Sequence, residues 1–193
     1  MATPNEWFHA RGALARDGWE SVVDGSLPGW AHTGIRVADL GDAPMVLPGG
    51  DIERIVVPLS GGVSVELDAT AAAGFDGGPL VALAGRASVF DGPTDVLYVG
   101  AGGGFTVRGP PGALDAAALI VCEVITPGGN WSSHPAHKHD EHIAGHESRL
   151  EEIYYFEAAP ARGLAAGSVP EDADAFGSFV TYSSAAGEID THA

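Results

Sequence analysis

The stretch IERIVVPLSGGVSVEL, residues 52–67, shows the pattern that decides the fold class. Two short runs rich in β-branched residues, 52–59 and 63–67, stand on either side of a Ser-Gly-Gly segment. β-Branched side chains favour strands, and glycine favours the turns between them. Similar runs recur between glycines and prolines, and we expect further strands at residues 34–40, 80–90, 95–99, 105–108, 117–126, 151–157 and 177–182. Short strands with frequent turns predict an all-β sandwich or barrel.

The segment Gly-Pro-Pro-Gly at residues 109–112 divides this strand pattern into two parts. We therefore predict an N-terminal domain over residues 1–112 and a C-terminal domain over residues 113–193. About six predicted strands come before the break and about three after it, too few to close a second sandwich. We expect the second domain to be incomplete or to be completed by another chain, so a homo-oligomer is compatible with the sequence.

The glycine-rich segment 100–104 is open to two interpretations, a phosphate-binding loop or a turn. It lacks the Lys-Ser/Thr pair of a P-loop, and Phe105 stands where a dinucleotide-binding fingerprint needs glycine. We therefore predict a hairpin turn between two strands.

The charge of the chain limits its partners. It has 9 basic and 26 acidic residues, a formal net charge of −17. Nucleic acids and anionic membranes bind clustered Lys and Arg, so neither is expected as a partner. The single cysteine, Cys122, cannot form an internal disulfide, which fits a reducing compartment. No secretion signal begins the chain, and no apolar run reaches the roughly 18 residues of a membrane helix, so we expect a cytoplasmic protein.

Residues 134–146 contain five of the eight histidines, and His137-Lys138-His139 is the central motif. Alternate residues of a strand share a face, so an extended segment would place both imidazoles side by side. A carboxylate from Glu151 or Glu152 would complete three ligands for Zn, Mn, Fe or Ni, and strand periodicity does not choose between the two. The alternative is a solvated histidine-rich loop, which is what we expect for the remaining three histidines of this stretch, His134, His142 and His146.

Two longer segments carry a family resemblance. GGNWSSHPAHKHD at 128–140, with ESRLEEIYY at 147–155, resembles the signature of 5-deoxy-glucuronate isomerases, which are cupins related to 4-deoxy-uronate isomerases. LAGRASVFDGP at 83–93 is similar to the N-terminal half of that family. The resemblance implies a bicupin, two fused cupin-type β-sandwiches with a metal in the second one, which in this chain is expected to be truncated at its C-terminus.

The resemblance also implies the ligands of a divalent metal: His137, His139 and Glu152, the glutamate directly before Ile-Tyr-Tyr. The family usually has an aromatic residue and a proline where this chain has His134 and Ala136, and neither position is a ligand. A fourth ligand, a histidine in a Pro-x-Gly-Tyr-His segment, is expected beyond Ala193.

The reaction that the resemblance implies is the isomerisation of 5-deoxy-D-glucuronate to 5-dehydro-2-deoxy-D-gluconate in myo-inositol catabolism. The partner is thus a small-molecule sugar acid, and a cation is needed to bind its carboxylate. Arg149 or Arg86 is a candidate for this contact, and Tyr154 is a second candidate substrate contact. The sequence identifies no general base. Two alternatives stay open: a non-catalytic sugar-binding or scaffold cupin, and another metal-dependent cupin enzyme.

Overall fold

Two compact units make up the chain. The computed structural model describes residues 8–41, 43–109, 113–116, 124–133, 137, 139, 141–146, 149–160, 175–181 and 191–192. The first unit is Arg11–Cys122, and the second unit combines Met1–Ala10 with Glu123–Ala193.

Nine strands and one short helix form the described part of the first unit. They are β1 Ser21–Val23, β2 Ile35–Leu40, β3 Met45–Leu47, β4 Arg54–Pro58, β5 Gly61–Leu67, α1 Ala69–Ala72, β6 Leu80–Arg86, β7 Leu97–Val99, β8 Phe105–Arg108 and β9 Ala113–Ala116. One sheet has the strand order β1-β2-β9-β4-β7 and the other has the order β3-β8-β5-β6. All pairs in both sheets are antiparallel.

The apolar core of the first unit draws on both sheets. In β5, Val63, Val65 and Leu67 are buried while Glu66 between them is exposed, which is the period-two alternation of a half-buried strand. The same cluster contains buried residues of the other sheet, among them Leu40 and Val56. Because two antiparallel sheets enclose one core, the unit is a β-sandwich, and the predicted all-β class is confirmed.

A β-bulge interrupts the pairing of β5 with β6. The register shifts between Gly61 and Val63, so that Ala84 and Gly85 together oppose Gly62. Gly85 has a φ of 64°, and a Cβ built there would lie 1.8 Å from the carbonyl oxygen of Gly61. Only glycine fits this backbone conformation and this spacing.

The predicted hairpin turn at residues 100–104 is wrong. β7 pairs with β4 and β8 pairs with β3 and β5, so the segment crosses from one sheet to the other. Two side chains hold the crossing: Arg54 Nη1 donates to the carbonyl oxygen of Gly103 at 3.0 Å, and Asp68 Oδ2 accepts the N–H of Gly104 at 2.8 Å. The glycines, which have no side chain, therefore allow the backbone to pack closely where it crosses between the two sheets.

The first unit extends past the Gly-Pro-Pro-Gly segment at which the sequence predicts the domain boundary. β9 begins at Ala113 and pairs with both β2 and β4 of the larger sheet. The division into domains 1–112 and 113–193 stays a prediction.

The described residues of the second unit contain little regular structure. β10, Val180–Thr181, pairs antiparallel with β11, Thr191–His192. The predicted strand at 151–157 is wrong, because these residues take part in no ladder. Of the run predicted at 117–126, residues 117–123 lie outside the described part and 124–126 form no strand.

No helix in the part of the chain that the structure describes is long and apolar enough to cross a membrane. The cytoplasmic location and the homo-oligomer stay predictions.

Candidate metal centre

A tight turn leads into the candidate site. The backbone N–H of Asn130 donates to the carbonyl oxygen of Pro127 at 3.1 Å, and the Asn130 amide also contacts that oxygen and the carbonyl of Gly128. Gly129, with a φ of 77°, permits the turn. Ser133 follows with a φ of 55°, an uncommon conformation for a residue with a side chain.

A backbone contact closes the loop after the histidines. The N–H of Leu150 donates to the carbonyl oxygen of His139 at 2.9 Å. Within the loop, the N–H of His146 donates to the carbonyl oxygen of Ile143 at 2.8 Å, which marks a turn. The chain therefore returns to His139 immediately before the Glu151-Glu152 pair.

Three potential metal ligands converge at this point. One ligand atom from each of His137, His139 and Glu152 lies within 4.8 Å of the other two. The imidazole rings of His137 and His139 meet edge to face, with centroids 5.0 Å apart. His137 and Glu152 are exposed and His139 is half-buried. The two imidazoles are thus in contact, although neither His137 nor His139 belongs to a strand.

The donor set fits a divalent transition metal. Neutral imidazoles and a carboxylate are ligands of Zn, Mn, Fe and Ni. Metal–ligand bonds of about 2.0–2.2 Å place tetrahedral ligand atoms about 3.4 Å from one another, so a small inward movement of these side chains would bring them to a shared cation. Three protein ligands leave further coordination positions open.

Tyr154 lies next to this group. Its ring stacks on Phe156 with centroids 5.9 Å apart and lies 5.1 Å from the ring of Phe179. Burial, followed by a hydrogen bond to the Glu152 carboxylate and the negative charge of that group, raises the pKa of Tyr154 to about 12. A hydrogen bond with Ser133 acts in the opposite direction on this pKa.

Among the described residues, the group of three includes none of the other candidate residues. His142 and His146 are exposed and do not belong to it. Arg149 is also exposed, and its contact with a substrate stays a prediction. Arg86 belongs to the first unit, where it is buried and its Nη1 donates to the carbonyl oxygen of Gly92 at 2.8 Å, which supports a structural role.

Three further residues of the signature segment need comment: His134, Lys138 and Ser133. His134 and Lys138 lie outside the described residues. Ser133 was not predicted to take part, although it lies within the signature segment. No local sequence pattern indicates that Ser133 would influence the pKa of Tyr154.

Curated relatives match part of the chain closely. The chain is 54% identical over 54 residues to a 5-deoxy-glucuronate isomerase of Geobacillus thermodenitrificans (strain NG80-2), a match that covers 28% of this chain and 20% of the relative. It is 49% identical over 55 residues to the 5-deoxy-glucuronate isomerase of Bacillus subtilis (strain 168), with the same coverage. The matched part of the chain thus spans about a fifth of each of these relatives.

A solved structure supports the fold. The crystal structure of an IolB-like protein from Salmonella typhimurium LT2 aligns with a TM-score of 0.51 and 18% identity, over 70% of this chain and 66% of that one. This similarity agrees with the cupin-type β-sandwich that the resemblance implies. The KduI/IolB family matches residues 8–113 and 109–186. Together these two ranges cover most of the sequence, and the chain belongs to the KduI/IolB family.

Proposed function

We propose that the protein is an aldose–ketose isomerase that converts 5-deoxy-D-glucuronate to 5-dehydro-2-deoxy-D-gluconate in myo-inositol catabolism. One observation carries this proposal: the potential ligand atoms of His137, His139 and Glu152 lie within 4.8 Å of one another in a member of this family. The curated relatives that bear the isomerase name support the choice of substrate.

The reaction moves a proton from C2 of the aldehyde sugar acid to C1 through an enediol. His137, His139 and Glu152 would hold a divalent cation, which would supply Lewis-acid stabilisation of the enediol charge. The two imidazoles would bind through neutral ring nitrogens, while Glu152 would add one negative charge that offsets part of the charge of the cation.

Access and charge at the site agree with a small anionic substrate. His137 and Glu152 are exposed, so a sugar acid approaches them from solvent. The chain carries a net charge of −17, and a local cation must therefore attract the substrate carboxylate. We propose Arg149, which is exposed and three residues before Glu152, for this contact.

Metal content and turnover of the full chain test this proposal. We expect about one Zn, Mn, Fe or Ni ion per chain by elemental analysis, together with isomerisation of 5-deoxy-D-glucuronate observed by proton NMR. Chelation should abolish turnover, and adding the metal back should restore it. A chain that binds the sugar acid without metal or turnover would instead be a scaffold or sugar-binding cupin, and a metal-loaded chain that leaves this substrate unchanged would be a different cupin enzyme.

A further inference from the structure

An aromatic cluster, consisting of Tyr154, Phe156 and Phe179, lies beside the candidate metal centre in the chain. Tyr154 and Phe156 stack nearly parallel, with an interplanar angle of 7° and centroids 5.9 Å apart. Phe179, directly before β10, contacts both rings, at centroid distances of 5.1 Å from Tyr154 and 5.4 Å from Phe156. The cluster therefore joins two segments of the second unit through ring contacts.

Two of the three rings remain open to solvent. Phe156 is 58% exposed and Tyr154 is 43% exposed, whereas Phe179 is half-buried. Apolar area gains free energy when it leaves water, and aromatic side chains have the most such area to bury. Several aromatic rings exposed together on a folded protein mark a place where a ligand or a partner binds. The cluster thus presents apolar surface that a ligand can cover.

The position of the cluster in the chain brings this surface close to a metal ligand. Tyr154 follows Glu152 by two residues, and two residues of chain span at most about 7 Å. Residues 151–160 contain no turn or bend, and the parallel rings of Tyr154 and Phe156 agree with alternate side chains on one side of this segment. A six-carbon sugar acid held at Glu152 by its C1 and C2 oxygens is long enough to reach the rings with the rest of its chain.

One carbon of the proposed substrate has the polarity that such a surface requires. 5-Deoxy-D-glucuronate has a methylene group at C5, where the open chain of D-glucuronate has a hydroxyl. The same carbon is the C2 methylene of 5-dehydro-2-deoxy-D-gluconate, which is numbered from the acid end, so the group persists through the reaction. A methylene group gains free energy against aromatic rings, whereas a hydroxyl placed there loses its hydrogen bonds to water without a replacement.

We propose that the aromatic cluster selects the substrate by covering its C5 methylene group, with Phe156, the most exposed ring of the three, as the main contact. This inference rests on the proposed isomerase function and deepens it. The selection arises because a C5 hydroxyl would be left unpaired against the rings. Apolar pockets discriminate against an added hydroxyl by about 100-fold.

The relative activity of the full chain toward two sugar acids tests this inference. We expect the wild-type kcat/KM for 5-deoxy-D-glucuronate to exceed that for D-glucuronate by about 100-fold. Phe156→Ser, which places a hydroxyl in the cluster, should reduce this ratio by about 10-fold or more, while the apolar Phe156→Leu should retain most of it. Phe176→Ser is the matched control and should keep the wild-type ratio, because Phe176 is 92% exposed and is not a member of the cluster.

Saturation-transfer difference NMR adds a readout that does not depend on turnover. In the Zn²⁺-loaded wild type, saturation of the aromatic protons should transfer most strongly to the methylene protons of the bound sugar acid. This transfer should fall in Phe156→Ser and persist in Phe176→Ser. Zn²⁺ affinity, measured by competition with a chromophoric chelator, should be the same in all variants, since none of them replaces one of the three ligand groups.

The outcomes distinguish this inference from the proposed function. A wild type that isomerises neither sugar acid would overturn the function, and the absence of saturation transfer as well would overturn both. Equal kcat/KM values for the two sugar acids would overturn the selective role alone, as would a ratio that falls equally in Phe156→Ser and Phe176→Ser. Weaker Zn²⁺ binding by Phe156→Ser would make the cluster a support for the metal ligands and would also overturn the selective role. A ratio that falls only in Phe156→Ser, at uniform Zn²⁺ affinity, would support it.

Discussion

The backbone N–H of Leu150 donates a hydrogen bond to the carbonyl oxygen of His139 across 2.9 Å. Leu150 stands two residues before Glu152, so this bond lies next to two of the three potential ligands along the chain. The contact therefore joins the segment that carries His139 to the segment that carries Glu152, 13 residues later in the chain.

Removing that hydrogen bond should weaken metal binding. Leu150→Pro eliminates the N–H donor, so the segment that carries Glu152 loses its attachment to His139. We expect Zn²⁺ affinity to fall by about 10-fold or more, comparable with the loss of a partner that orients a ligand. Leu150→Ala keeps the N–H and shortens a side chain that is 51% exposed, so its affinity should match the wild type. Equal affinities of both variants would contradict this role.

Substituting the adjacent glutamates one at a time should show which of them, Glu151 or Glu152, binds the metal. Glu152→Gln replaces a charged ligand with a neutral amide, and we expect Zn²⁺ affinity to fall by more than about 100-fold, beyond the effect of partners that only orient ligands. Glu151→Gln should lower it by less than about 3-fold, because that carboxylate is not one of the three ligand groups. Isothermal titration calorimetry measures both, and the reverse order would move the ligand to Glu151.

Shortening a single side chain in the core of the β-sandwich should strongly lower the free energy of unfolding. Leu40 is 1% exposed between the two sheets, whereas Leu80 is 64% exposed at the start of β6. We expect Leu40→Ala to lower the free energy of unfolding by about 2–5 kcal/mol, from lost burial and the cavity that remains. Leu80→Ala should change it by less than about 0.5 kcal/mol. Urea denaturation followed by circular dichroism compares the two, and similar losses would refute the burial of Leu40.

The β-bulge makes a glycine at position 85 indispensable. In Gly85→Ala the new methyl group meets the carbonyl of Gly61 and the positive φ becomes strained, so we expect a loss of stability well above about 1 kcal/mol. Gly100→Ala is the matched control, since a Cβ there meets no atom within 4 Å. Its thermal midpoint should stay within about 2 °C of the wild type. An unchanged midpoint for Gly85→Ala would mean that the bulge is absent.

Acid should destabilise the first unit through its hydrogen-bonded carboxylates. Hydrogen bonds from Arg16 and Ser26 hold the pKa of Asp24 well below its usual range. N–H groups of Ala71 and Gly104 lower the pKa of Asp68.

Asp95 adds a third such carboxylate. Burial tends to raise its pKa, but the N–H groups of Gly85 and Ala84 outweigh burial and leave the pKa lowered. A carboxyl group whose pKa is lower in the folded state binds protons more readily when unfolded. Its stabilisation is complete above the unfolded pKa of about 3.9 and is lost as the pH falls toward the folded pKa.

Thermal unfolding from pH 7 to pH 2 measures this loss. The midpoint should be nearly constant from pH 7 to about pH 5 and should decrease below about pH 4. Asp95→Asn should lower the midpoint at pH 7 and reduce its acid dependence, because the titrating group is gone. The same change at the exposed Asp76 should leave the profile as it is. Identical profiles for both variants would show that Asp95 contributes nothing to the acid dependence.

Local patterns were sufficient for the fold class and for several strands. β8, Phe105–Arg108, has the bounds that the sequence predicts, and β5 ends at Leu67 as expected. These runs are recognisable because β-branched residues and terminating turns are properties of neighbouring residues. β1, β3 and β9 were not predicted, since three or four residues are too few to show a periodicity.

For the metal motif too, the sequence shows some features and only the tertiary structure shows the others. The spacing of His137 and His139 and the family signature are written in the sequence, and they were enough to nominate Glu152 by resemblance. The convergence of the three side chains is visible only in the tertiary structure, where the Leu150–His139 hydrogen bond joins the two segments that carry them. Residues 151–157 have strand-like composition but form no ladder, because a strand needs N–H and C=O partners from another segment. Composition and spacing thus determined the fold class and the candidate ligands, whereas only the packing of distant segments decided which groups meet.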